Sequence, residues 1–344
     1  MSRRPVHTVD IHRSAAWSYN SEGMSVSRKN LIVVALGGNA ISRSDQEGNV
    51  DEQFENSRHT ARALAELVQQ GHQLVITHGN GPQIGNFLLR NEAGAGLIYP
   101  LPMEVAVAHV QGGMGFMIGQ TLTNELHSRG RTDIVTTIIT TVLVDQNDPS
   151  FRNPTKPVGR NLTKGEAEKY AKAEGWTMKE ISPGQFRRVV PSPTPRYIME
   201  IDTIRRAVNN GDTIIACGGG GIPVVRDPIK GLRGIRAVID KDLASALLAA
   251  EIDADTMLIL TAVDRVFVNF GEPDERAVEH LTASEAKRWL AEGQFPEGSM
   301  GPKIQGAIKF LEASKKPSAC VAIGPLHGAA DAIAGRIGTR ITRS

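Results

Sequence analysis

A chain of 344 residues, 40% apolar and 22% charged, carries enough material to bury a large core in one α/β domain or two lobes. Its formal charge of +2 is spread without basic runs, which argues against a nucleic-acid partner. No apolar stretch approaches membrane-spanning length, and Cys217 and Cys320 fit a reducing compartment such as the cytoplasm better than a disulfide framework.

Residues 1–29 stand apart. They carry Arg3, Arg4, Arg13, Arg28 and Lys29 against Asp10 and Glu22, without an apolar period. No continuous hydrophobic segment marks a secretory signal. The expectation is a disordered leader with no catalytic part. The alternatives are a transit peptide to an organelle matrix, or an extension upstream of a true start at Met24.

The run Leu31-Ile32-Val33-Val34-Ala35-Leu36 is apolar, uninterrupted and rich in β-branched residues, as in a strand buried on both faces. It ends in Gly37-Gly38-Asn39, where two glycines let the backbone turn and bring bare N–H groups close to an anion. A helix follows with Phe54, Ala61, Leu64, Leu67 and Val68 on one face and Gly71 at its end. A second apolar run from Leu74 to Thr77 closes in His78-Gly79-Asn80-Gly81-Pro82-Gln83, and the next helix contains Ile84, Phe87 and Leu88. Residues 105–129 have a longer helical pattern that includes Gly112, Gly113, Gly115 and Gly119. Each glycine costs a helix about 1 kcal/mol relative to alanine, so another element must pack very close, within the chain or across a dimer interface. Residues 134–144, rich in Thr, Val and Ile, predict one or two strands.

From 145 to 195 the chain becomes proline-rich and polar, through Asn153-Pro154-Thr155-Lys156-Pro157-Val158-Gly159 and Pro191-Ser192-Pro193-Thr194-Pro195. Such an excursion predicts a lid or a small subdomain projecting over the site. Within it Thr163 and Glu166 are spaced as a capping box, with Gly175 at the helix end. The sheet pattern resumes at Thr213 and runs into Cys217 and Gly218-Gly219-Gly220-Gly221. Ala237-Val238-Ile239-Asp240-Lys241-Asp242 leads into a helix expected to turn Leu243, Leu247 and Leu248 inward. A buried strand at 257–261 closes in Thr261-Ala262-Val263-Asp264, with a neighbouring β segment at 266–270 and a second capping box at Thr282 and Glu285. Gly298-Ser299-Met300-Gly301-Pro302-Lys303 opens the next helix. A strand at 319–323, a short helix and residues 339–342 complete the pattern. The alternation predicts an α/β fold with a mainly parallel sheet between helix layers.

Three glycine-rich turns at the carboxyl edge of a parallel sheet can form one anion cradle. Their spacing fits neither the P-loop pattern nor G-x-G-x-x-G. Lys156 lies between prolines, Lys241 between Asp240 and Asp242, and Lys303 at a helix start, where a cation is unfavourable unless an anion joins it. Asp242 either orients Lys241 and Lys303 or caps its helix. Phosphoryl transfer needs such positioning and charge stabilisation more than covalent chemistry. No Ser-His-Asp arrangement, metal-ligand spacing or catalytic base is evident, and His78, His109 and His127 are isolated. A missing base suits a substrate that is already an anionic nucleophile.

VALGGNA, HGNGPQIGN, NPTKPVG, CGGGGIPVV, VIDKDLAS and SMGPKI, in this order and spacing, resemble the carbamate kinases of the amino-acid kinase family from Leu31 to the C-terminus. The resemblance implies a three-layer αβα sandwich with a mainly parallel central sheet and a small protruding subdomain at about 145–195. It implies an N-terminal lobe, 30–225, for carbamate, a C-terminal lobe, 226–344, for nucleotide, and a homodimer. The implied reaction is ATP plus carbamate giving ADP plus carbamoyl phosphate, reversibly, usually towards ATP in arginine breakdown. By position, Lys156, Lys241, Lys303 and Asp242 match the catalytic set, and Gly37, Gly38, Asn39, Gly79, Asn80 and Gly218, Gly219, Gly220 and Gly221 the substrate side. Thr261, Ala262, Val263 and Asp264, with Met300 and Lys303, match the nucleotide side. Magnesium is expected to arrive with the nucleotide phosphates, with no metal site in the chain. The leader departs from the family pattern, as does Ile181-Ser182-Pro183-Gly184-Gln185-Phe186, which stands where an Arg-Gly-Trp-like run is expected. The rival readings are a related kinase of the acetylglutamate, aspartate or UMP type, and a non-catalytic anion-binding protein. The PTKPVG excursion opposes the first, and the three retained lysines oppose the second.

Overall fold

The strand Leu31–Leu36 sets the layering, because all six of its residues are buried. Successive strand side chains point to opposite faces. Leu31, Val33 and Ala35 accordingly enter one apolar core, and Ile32, Val34 and Leu36 a second. The first core is covered by helices Ile201–Asn209, Lys241–Glu251 and Met300–Ala313, and the second by Val50–Gln69 and Met103–Ser128. The result is the αβα sandwich expected. This computed structural model describes residues 30–43, 46–296 and 298–344, so the reading of 1–29 lies outside the described residues.

Across the central sheet the order is His280–Thr282, Thr339–Thr342, Cys320–Pro325, Thr256–Thr261, Leu31–Leu36, Gln73–His78, Thr213–Ile215 and Val135–Thr137. Neighbours run parallel except Cys320–Pro325 with Thr339–Thr342. Parallel strands place their carboxyl ends on one edge, so Gly37, Gly79, the turn Gly218–Gly220 and Thr261 are delivered to the same side. Among the described residues, no helix is long and apolar enough to cross a membrane.

Residues 134–144 form two strands in different sheets, Val135–Thr137 centrally and Thr141–Val144 in a four-stranded sheet. That second sheet also takes the hairpin Ile222–Asp227 with Gly231–Gly234, which follows the glycine turn. Val266–Val268 pairs only with Arg276–Val278, as a separate hairpin. Within the helix Met103–Ser128, a Cβ at Gly115 would sit 2.3 Å from Thr137 Cγ2, so its close neighbour belongs to the same chain. Gly113 has open space instead. The helix Lys241–Glu251 departs from expectation. It buries Asp242, Ser245, Ala246, Leu248 and Ala249, whereas Leu243 and Leu247 are half-buried. Small inward residues let this helix lie against Met300–Ala313.

The excursion builds its own three-stranded sheet from Lys156–Leu162, Gln185–Val190 and Met178–Ser182, with the helix Lys164–Glu174 beside it. Thr163 and Glu166 make the capping box, and Gly175 ends the helix at φ 65°. The unusual run 181–186 is the hairpin turn, with Gly184 at φ 73°. Trp176 stacks on Tyr170 at 4.8 Å and carries the Arg188 guanidinium 4.2 Å over its ring. This unit meets the helix Gly81–Ala93 backbone to backbone: a Cβ at Gly85 would lie 3.2 Å from Gly159 Cα.

Candidate active site

The start of the helix Lys241–Glu251 organises the site. Asp240 is its N-cap, accepting the Asp242 N–H on Oδ1 at 2.9 Å. Its other oxygen accepts Lys156 Nζ at 2.6 Å, across 84 residues of sequence. Asp242 is 2% exposed; its Oδ1 accepts Lys241 Nζ at 2.8 Å and its Oδ2 lies 3.5 Å from Lys303 Nζ. Lys303 Nζ also donates to Ser299 O at 3.1 Å. Three ammonium groups thus converge on two carboxylates and leave one positive charge uncompensated. Burial pushes the Asp242 carboxyl up, but Lys241 and Lys303 outweigh it and hold it below the usual carboxylate range. Burial pushes the Lys303 ammonium down, with Asp242 opposing and Lys241 reinforcing that shift. An arriving anion relieves this deficit.

Two cavities meet here, sharing Gly38, Lys241, Gly298, Ser299 and Lys303. The smaller, of about 320 Å³, is lined further by Gly79, Asn80, Lys156, Gly219 and Asp240. The larger, of about 810 Å³, extends past Gly37, Thr261 and Ala262 to Arg43, His59 and His327. Asn80 is buried, and its Nδ2 has no hydrogen-bond partner among the described residues. A buried donor without a partner is costly, and Asn80 is one of the residues that line the smaller cavity.

The glycines act mostly by making room. A Cβ at Gly37 would come within 2.9 Å of Leu260 O, whereas Gly38 has open space on the cavity side. Gly79 lies against the Lys241 stem, 3.3 Å from Cδ to a built Cβ. Of the four consecutive glycines, Gly219 alone lines either of these two cavities. Gly218, Gly220 and Gly221 instead clear space for the His78 ring, Ile239 O and Val142, at 2.3 Å from a built Cβ in each case. That packing sets them behind the lining of the two cavities. Val263 and Asp264 are exposed outside both cavities, and Met300 packs on the core. The Asn39 side chain lies outside the described residues.

His78 is buried, and its Nδ1 donates to Gly79 O at 3.1 Å, since a carbonyl can only accept. Burial pushes its pKa down to about 4, so the ring is neutral. Asp240 is the functional candidate that the sequence reading missed. Its position before a helix signals an N-cap, but its second oxygen finds Lys156 only through the tertiary fold. Arg43, His59 and His327 carried no sequence signal of cavity lining.

The chain belongs to the amino acid kinase family, whose sequence profile matches residues 30–322. Within it the near relatives are carbamate kinases. That of Pyrococcus horikoshii is 45% identical over 313 residues, covering 90% of this chain and 98% of that protein. That of Clostridium perfringens is 45% identical over 317 residues, covering 91% and 99%. The structure of the carbamate kinase from Giardia lamblia bound to AMP-PNP superposes with a TM-score of 0.84 at 39% identity, covering 91% of this chain and 98% of that one.

Proposed function

We propose that this chain is an ATP:carbamate phosphotransferase, and that the junction of the two cavities is where the phosphoryl group changes hands. The observation that carries this reading is the convergence of Lys156, Lys241 and Lys303 on Asp240 and Asp242. Carbamate occupies the smaller cavity, where Asn80 Nδ2 gains an oxygen acceptor. ATP occupies the larger, within the size range of ordinary ligand sites, and Thr261 to Asp264 and Met300 border its course. The 30–225 portion serves carbamate and the 226–344 portion nucleotide, with 145–195 as the covering subdomain.

A carbamate oxygen attacks the γ-phosphorus. The new O–P bond forms as the bond to the β,γ-bridging oxygen breaks, and ADP leaves with that electron pair. Both nucleophile and leaving group are oxyanions, so no proton need move. The chain's work is to hold positive charge around the phosphoryl oxygens in transit. Gly38 and Asn39 bring backbone N–H groups to this point, beside Gly37, whose own N–H is donated to Leu260 O at 3.1 Å, and the lysines bring ammonium groups. Magnesium enters on the nucleotide phosphates, since this ion is usually held by one or two carboxylates and substrate phosphates.

The cellular setting we propose is ATP synthesis from carbamoyl phosphate in cytoplasmic arginine breakdown. The homodimer would use the face of the helix Met103–Ser128 bearing open Gly113 and exposed Phe116. Purified protein should form ATP from ADP and carbamoyl phosphate and reject acetylglutamyl phosphate. No ATP from carbamoyl phosphate overturns the reading.

A further inference from the structure

Two buried hydroxyl groups join the carbamate-side strand to the lysine-bearing helix. Thr77 and Ser245 are both fully buried. Ser245 Oγ donates to Lys241 O at 2.6 Å, and Thr77 Oγ1 lies 2.6 Å from Ser245 Oγ. The Ser245 hydroxyl has one proton, and Lys241 O takes it. Thr77 must therefore be the donor in the second bond.

We propose that Thr77 and Ser245 are positioning residues for phosphoryl transfer, a hydroxyl bridge that fixes Lys241 relative to Gly79 and Asn80. The proposal rests on the phosphotransferase reading above. A serine bonded four residues back along its own helix is common and says little. Here the bond is continued to a second element, a strand that ends at His78, immediately before Gly79. Gly79 in turn grips the Lys241 stem, with a built Cβ 3.3 Å from Cδ and 3.5 Å from Cε. Lys241 is thus held by its carbonyl, by its methylenes and by its ammonium group on Asp242. The first is tied through Ser245 to Thr77 on the strand Gln73–His78, and the second comes from Gly79 in the turn that follows this strand and carries Asn80. The distance between the carbamate donor and the phosphoryl-binding cation is then set by one bonded chain, from Thr77 through Ser245 to Lys241.

Neither residue lines either of the two cavities, so the effect on catalysis is read through Lys241, which lines both. Thr77→Val keeps the side-chain shape and removes the donor. We expect a kcat lowered about tenfold with KM for carbamoyl phosphate nearly unchanged, because the interaction lost matters most in the transition state. Thr77→Ser should recover most of the loss. Placing Thr77→Val in a Lys241→Ala background should cost nothing further. The same kcat deficit in both backgrounds overturns the proposal, as does an unchanged kcat for Thr77→Val. Thermal melts of each variant establish the folded fraction, and Ser245→Ala tests the bridge independently should Thr77→Val unfold. Wild-type turnover and the Lys241→Ala loss report on the phosphotransferase reading separately. If these hold while Thr77→Val is silent, only the bridge falls.

Discussion

Gly306 presses on the backbone of Asp242 so closely that a Cβ there would stand 2.7 Å from the Asp242 carbonyl oxygen. This contact brings the helix Met300–Ala313, with Lys303 one turn earlier, against the start of Lys241–Glu251. The space at one glycine therefore sets the 3.5 Å separation between Lys303 Nζ and the Asp242 carboxylate. Gly306→Ala must push the helices apart, since backbone cannot yield as a flexible side chain does. The expected result is a destabilisation of about 1–3 kcal/mol and a fall in kcat larger than the fall in folded protein, read by denaturant unfolding and steady-state kinetics together.

Lys241→Ala and Lys303→Ala should each lower kcat by about 10²–10³, the usual loss when one preorganised donor to transition-state charge is removed. Circular dichroism should show the fold retained, because each variant leaves Asp242 one ammonium partner. Unchanged turnover in both would falsify the roles assigned to them.

Asp240 has two jobs that one substitution separates. Asn is as good an N-cap as Asp, so Asp240→Asn keeps the helix start while weakening the hold on Lys156. Thermal stability should stay near wild type while kcat drops at least several-fold. A large drop in melting temperature with normal kcat would show that the cap, rather than the lysine, is what Asp240 serves.

His78 provides a pH test. Its pKa is depressed to about 4 from an ordinary 6.5, so between those values the unfolded chain takes up a proton that the folded chain refuses. The stability this residue contributes is fully present above pH 6.5 and is lost as pH falls towards 4, by up to about 3 kcal/mol. Urea unfolding of wild type and His78→Gln at pH 7.5 and pH 5 checks this. The variant should show the shallower decline, and parallel declines would remove His78 as the cause.

Much of the site could be read from local pattern. A fully apolar run ending in glycine reads as a buried strand with a tight turn because both requirements are written in adjacent residues. Lys303 at a helix start stood out for the same reason, as a local electrostatic conflict. The Lys156–Asp240 pair could not be read that way, since nothing near either residue names the other. Gly218, Gly220 and Gly221, three of the four glycines at 218–221, are ambiguous in a different manner. A glycine that offers its N–H to a ligand and one that yields to a histidine ring look alike in sequence, and the difference lies in His78, Ile239 and Val142 arriving from elsewhere. Hydrophobicity turns Leu243 inward, but the helix buries Asp242 instead, whose backbone meets Gly306. Asn80 was legible as a candidate; its unpartnered nitrogen was not.

Two of the three cations grow from the sandwich, while Lys156 is borne on the first strand of the small separate sheet. Alterations to the seating of that outlying unit can therefore retune one charge in three and leave the remaining pair undisturbed. Such an arrangement makes one charge of the reacting centre answer to a surface appendage and the other two to the body of the molecule.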